Sequence, residues 1–195
     1  MPSSTATEGE WCRRVFLDVL GRIPTTDELN VFLEDKSSEK KRHLVDRLLS
    51  AKYDGTYSRN WSNVWANILI GRSGGSERNS RTNRQGMENY LSEAFGENRP
   101  YDQMVFELLS AQGTSRPPSK KQDAPRFNGA VNFLAMKLGN NPNDPEYGAQ
   151  ATAKTSQIFL GLRIQCTQCH DHPFNRWKQN QFWELNAFFR QAVAL

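Results

Sequence analysis

Apolar residues recur at helical spacing along most of this chain, and no stretch alternates as a half-buried strand would. In residues 8–21, Trp11, Val15, Val19 and Leu20 share a face and Gly21 suits a C-cap. After the turn at Pro24, Thr25 and Glu28 have the capping-box spacing that opens a helix over 25–35. Leu44, Val45, Leu48 and Leu49 mark a third helix over 38–51, and Trp61, Val64, Trp65, Ile68 and Leu69 a fourth over 57–71. A polar, glycine-containing loop (72–82) precedes two further helices, over 84–96 and 100–111, the latter opening at Pro100. Residues 112–128, rich in Pro and Lys, are expected to form a flexible loop. A short apolar segment (130–139) and a turn-rich stretch (140–145) follow. Residues 145–166 read as one long helix running up to Cys166, in which Gly148, Ala149, Ala151 and Ala153 would admit a closely packed surface, conceivably a flat cofactor. Beyond Pro173, a last helix carries Phe182, Trp183, Leu185, Phe188 and Phe189. The pattern predicts a mainly α fold, an irregular multi-helix single domain with long loops, over residues 1–195.

Composition narrows the class. The chain has 195 residues, 37% of them hydrophobic, with 11 Phe, 5 Trp and 5 Tyr supplying bulky burial. No run of 18 apolar residues is present, so no membrane span is expected. The net charge of +4 is spread along the chain, with clusters at Lys40–Arg42 and Lys120–Lys121. No groove-reading motif accompanies it, so nucleic acid is not expected as a partner. A mildly basic surface suits an acidic redox partner or a sulfated polysaccharide instead. Three cysteines are too few for a disulfide scaffold, and Cys12 lies in an apolar run as a packed thiol would.

The other two cysteines change the picture. Residues 166–172 read CTQCHDH, and Cys-x-x-Cys-His is the spacing that attaches haem c. Cys166 and Cys169 would each add a thiol across a haem vinyl group, and His170 would be the proximal iron ligand. Two intervening residues make one helical turn, which presents both sulfurs to one porphyrin edge. Adding His172 gives two thiolates and two imidazoles within seven residues, a donor set for zinc or iron in a structural module. Against that alternative, adjacent ligands at 169 and 170 strain a tetrahedral shell. A redox dithiol is the third reading, and it lacks a thioredoxin-like strand–helix context.

Around the motif, His172 precedes Pro173 and is expected to be extended, its ring bonding a loop carbonyl. Asp171 either orients an imidazole or caps the next helix. Met136 is the preferred distal ligand, ahead of His43, Met87 and Met104, which fit a surface position and core packing better. Trp177, Phe182, Trp183, Phe188 and Phe189 are expected chiefly as core, some of them walling the cofactor. Arg163 and Arg176 flank the motif, where guanidinium groups would pair with propionates. A distal position left open would favour haem-dependent chemistry, on polysaccharide for instance, but no paired carboxylates or Ser–His–Asp order identify a reaction.

The stretch TSQIFLGLRIQCTQCHDHPFNRWKQNQFWELNAFFRQ (155–191) resembles the end of a planctomycete cytochrome c-like domain family of unknown function. The likeness rests on Cys166 through Phe174, on Trp177–Lys178–Gln179 and on Ala187–Phe188–Phe189. The opening RRVFLDVLGRIPTTDELNVFLED resembles the family's entry, and HLVDRLL (43–49) continues it. This resemblance implies a domain of a large exported protein in which a further domain follows. The N-terminal MPSSTATEGE lacks the charged and apolar regions of a signal peptide, although thioether attachment takes place outside the bacterial cytoplasm. The chain is accordingly expected to be an excised piece of a periplasmic or cell-surface protein.

Overall fold

Helix ends written into the sequence set the first half of the fold. In the computed structural model, which describes residues 5–77, 80–117 and 126–193, Thr7 caps α1 (Glu8–Leu20) in a capping box with Glu10. Gly21 closes α1 in the left-handed conformation that glycine adopts without steric cost, at φ 68°. Thr25 and Glu28 form the expected capping box of α2 (Thr26–Glu34). Then follow α3 (Lys40–Leu48), α4 (Asp54–Ile70), α5 (Arg84–Gly96), α6 (Tyr101–Ser110), α7 (Asn132–Lys137), α8 (Ala149–Phe159) and α9 (Gln179–Phe189). Among the described residues no β-strand forms, and a single bridge joins Thr114 to Phe127. The protein is mainly α.

Two compact units can be distinguished. The first comprises residues 1–63 and 92–98. Its core gathers Cys12, Phe16 and Leu20 of α1 with Phe32, Leu44, Leu48 and Tyr53. Cys12 is fully buried, and burial pushes its thiol pKa up, so it packs as a small hydrophobe, as its apolar setting predicts. The basic cluster at 40–42 is spent within the unit. Lys40 pairs with Glu8 and lies over the Phe32 ring, Lys41 lies over Trp11, and Arg42 is 3.8 Å from Asp46.

Glu28 ties this unit together. Its carboxylate accepts from Arg22 Nη2 at 2.7 Å, from Tyr53 Oη at 2.9 Å and from the Thr25 N–H at 2.8 Å. The Arg22 hydrogen bond foremost holds its pKa down at about 2. Since the folded pKa is depressed, its contribution is complete above the ordinary value of 4.5 and is lost as pH falls toward 2. Glu28→Gln should therefore melt at lower temperature than wild type near neutrality, with the gap narrowing across that acid window. Thermal melts followed by circular dichroism at a series of pH values measure this, and a gap independent of pH contradicts it.

The second unit comprises residues 64–91 and 99–195. Buried Asn132 organises its middle, accepting from the Asn83 N–H at 2.6 Å and donating to the carbonyls of Gly129 (2.8 Å) and Ser115 (3.0 Å). The Arg84 guanidinium donates to the carbonyls of Gly71 and Arg72, pinning the loop that begins there. Of the loop expected to be flexible, residues 118–125 lie outside the described residues. Its flanks pair, Thr114 N–H donating to Arg126 O and Asn128 N–H to Thr114 O.

The helix expected over 145–166 is shorter, and both limits have local causes. Before it, Asp144 Oδ1 accepts from the Glu146 N–H in a turn, and Gly148 is left-handed at φ 81°. After it, Gly161 is left-handed at φ 68°, letting the Leu162 N–H return to Ser156 O at 3.0 Å. Its small residues do admit a close surface, and that surface is α9. A Cβ built on Gly148 would stand 2.8 Å from Asn186 Oδ1 and 3.1 Å from Phe189 Cβ. Asn186 is itself buried, accepting from Thr152 Oγ1 at 2.8 Å and donating to Tyr147 O at 3.1 Å. Among the described residues no helix is long and apolar enough to cross a membrane.

Candidate functional site

The Cys-x-x-Cys-His motif begins on a short 3₁₀ turn (Gln165–Gln168) that Cys169 caps, rather than at the end of a long helix. The turn faces two ways. Ile164 and Thr167 point inward, with Thr167 Oγ1 donating to Ile164 O at 2.6 Å. Cys166 and Cys169 point outward as free, exposed thiols. Ile164 joins Ala149 and Ala153 of α8 and Phe182 of α9 in a small core, with Trp183 and Leu185 at its edge. From α9, Trp183 Nε1 (3.1 Å) and Gln179 Nε2 (3.3 Å) both donate to Gln168 O. Helix α9 is thus the scaffold on which the turn rests.

Asp171 resolves to a cap. Its Oδ1 accepts from the Gln179 N–H at 3.0 Å and its Oδ2 pairs with Lys178 Nζ at 2.7 Å. The Lys178 hydrogen bond in particular lowers its pKa. An anionic carboxylate at the first turn of α9 also complements the helix dipole.

The two histidines differ in which nitrogen is left free. His170 Nδ1 is 2.7 Å from Asp171 O, and a carbonyl only accepts, so Nδ1 carries the proton. Among the described residues Nε2 has no hydrogen-bond partner on this exposed ring, which makes it the nitrogen open to a ligand role. His172 is the reverse. Its Nδ1 accepts from the Phe174 N–H at 3.2 Å, so Nε2 carries the proton and donates to Arg163 O, also at 3.2 Å. The loop-carbonyl bond expected of His172 is present, and neither of its nitrogens has a lone pair to spare.

The other candidates fall elsewhere. Met136 sits near the end of α7, its sulfur accepting from Thr82 Oγ1 at 3.7 Å. Met87 and Met104 are core residues, and His43 is exposed, 3.8 Å from Asp35. Arg163 and Arg176 are exposed. Among the aromatics, Phe182 and Phe189 are buried, while Trp177 and Phe188 face outward. Phe174, two residues past His172, is 93% exposed. Among the described residues no group of three or more His, Cys, Asp or Glu side chains is placed to hold a metal ion. Cys166, Cys169, His170 and His172 share one segment without converging.

Sequence reasoning missed the inward anchor Thr167 and the buried Asn186. Asn186 follows Phe182 by four residues and precedes Phe189 by three, and a polar residue on that apolar face signals a buried hydrogen-bonding post.

No curated protein and no solved structure matches the chain. A family model named PSCyt2, described as a protein of unknown function (DUF1549), matches residues 1–194, and the chain belongs to that family.

Proposed function

We propose that this chain is a haem c-binding, electron-transfer domain of an exported protein, with thioethers at Cys166 and Cys169 and His170 as the proximal ligand. The single observation that carries this reading is the state of His170, whose Nδ1 proton is held by Asp171 O and whose Nε2 lone pair is free. The two exposed thiols that precede it at Cys166 and Cys169, and the family's cytochrome-like name, support the same reading. Bound there, haem would supply a one-electron couple. The chain's own part is to hold the turn on α9 and orient the His170 ring. Trp183 and Gln179 do the first through Gln168 O, and Asp171 O does the second.

The zinc alternative needs His172 as its fourth donor, and both nitrogens of that ring are already in use. Met136 is not part of the proposal, since its sulfur is engaged by Thr82.

The test is expression with an export signal in a strain that matures c-type cytochromes, followed by haem staining after denaturing electrophoresis. A stained band at the mass of the chain is expected. A colourless band from that strain overturns the reading.

A further inference from the structure

His172 has no role in the haem reading, yet it makes three hydrogen bonds within the motif's own segment. Its Nε2–H donates to Arg163 O at 3.2 Å, its Nδ1 accepts from the Phe174 N–H at 3.2 Å, and its backbone N–H donates to Trp177 O at 2.9 Å. The first of these closes a ring from residue 163 to residue 172, and that ring encloses Cys166, Cys169 and His170. The last closes a second ring, from 172 to 177, with Phe174 inside it. Inside the first ring the backbone–backbone bonds are local, such as Cys169 N–H to Cys166 O at 3.3 Å, and Gln168 O is held from α9 by Trp183 and Gln179. Closing a short loop removes much of its conformational freedom. Pro173 fixes the backbone just beyond the closing residue, and Asp171 anchors the residue just before it to α9.

We propose that His172 is a positioning residue, an imidazole whose Nε2–H latches the 163–172 ring and so restricts the segment that carries Cys166, Cys169 and His170 before any cofactor is attached. The relevance of the latch to haem rests on the reading above. The latch itself is a property of the haem-free chain. A metal-ligand role for His172 would require Nδ1 or Nε2 to give up its present partner. The order His170-Asp171-His172 therefore divides the work: the first ring offers a lone pair, the carboxylate caps α9, and the second ring closes the loop.

The test uses the whole chain produced haem-free in an ordinary cytoplasm. Trypsin under native conditions reports the ring through cleavage after Arg163 and after Arg176, which flank it. Loss of the Nε2 bond and the Nδ1 bond in His172→Ala should speed both cleavages by about tenfold. His172→Gln, which keeps an N–H able to reach Arg163 O, should recover most of the protection, whereas a merely space-filling role would make no such distinction. Helical circular dichroism of the whole chain is the control and should be unchanged in every variant, separating a loosened ring from an unfolded unit. In wild type, nitrogen chemical shifts should report His172 as the Nε2–H tautomer and His170 as the Nδ1–H tautomer. Wild-type cleavage rates in His172→Ala, or an Nδ1–H tautomer at His172, would overturn the proposal. If His172→Ala loses helical signal, the wild-type tautomer alone decides. Failure of the haem reading shows as colourless matured protein and leaves both readouts standing.

Discussion

In matured protein, His170→Ala will shift the Soret band and weaken iron ligation, while His172→Ala will leave the band where it is. The two residues are two positions apart, but their rings are committed differently. Nε2 of His170 has no partner among the described residues, and on the proposed reading its loss removes the proximal ligand. His172 has Nδ1 and Nε2 both occupied, so its loss opens a loop and removes no donor. Fewer haem groups per chain are expected in His172→Ala, with an unaltered spectrum per haem. If the four residues instead formed a Cys/His metal centre, both substitutions would lower metal affinity by similar factors, each deleting one ligand. Absorption spectra of the two variants, normalised to haem content, separate these outcomes.

The second large effect is on stability. Phe182→Ala will destabilise the unit that carries the motif by about 3–5 kcal/mol. Phe182 is 1% exposed and packs with Ala149, Ala153 and Ile164. Ala149 and Ala153 are too small to fill the space left behind. Ile164 immediately precedes the motif's turn, so the cavity opens directly beneath it. Chemical denaturation of the wild type and the variant measures the difference. A change below about 1 kcal/mol, the scale of a surface substitution, contradicts the packing described here.

Gly21 and Gly161 illustrate how much of the fold was legible. Both are left-handed glycines after a helix. Gly21 is followed by a proline-marked turn, so the end of α1 stands out, as does the capping box at Thr25. Gly161 lies between Leu160 and Leu162 in an apolar run, and the hydrophobic pattern continues through it. The pattern alone therefore predicts a helix up to Cys166, whereas the backbone turns at Gly161 and the motif occupies its own 3₁₀ turn. Periodicity reports which residues prefer burial, not where the chain reverses.

The candidate site was legible in its donors and not in their roles. Spacing singles out Cys166, Cys169 and His170, because covalent chemistry demands a fixed order. The tautomers of His170 and His172 depend on Asp171 O, Arg163 O and the Phe174 N–H, backbone groups that carry no residue-specific signal. Asp171 was open between two roles for a similar reason. Its partner Gln179 is eight residues away and is brought near only by the turn at 173–178. Met136 stood out by its place in a weak apolar segment beside the loop at 112–128, and the hydrogen bond its sulfur accepts from Thr82 joins it to a loop 54 residues earlier.

The proposed haem attachment is covalent, so the mass of a single peptide reports it. Protein matured in the bacterial periplasm, digested and resolved by mass spectrometry, should yield the peptide spanning Cys166–His170 with one haem attached through both sulfurs. Recovery of that peptide with two free thiols or a disulfide, from cells that attach haem to a control cytochrome, would contradict the account.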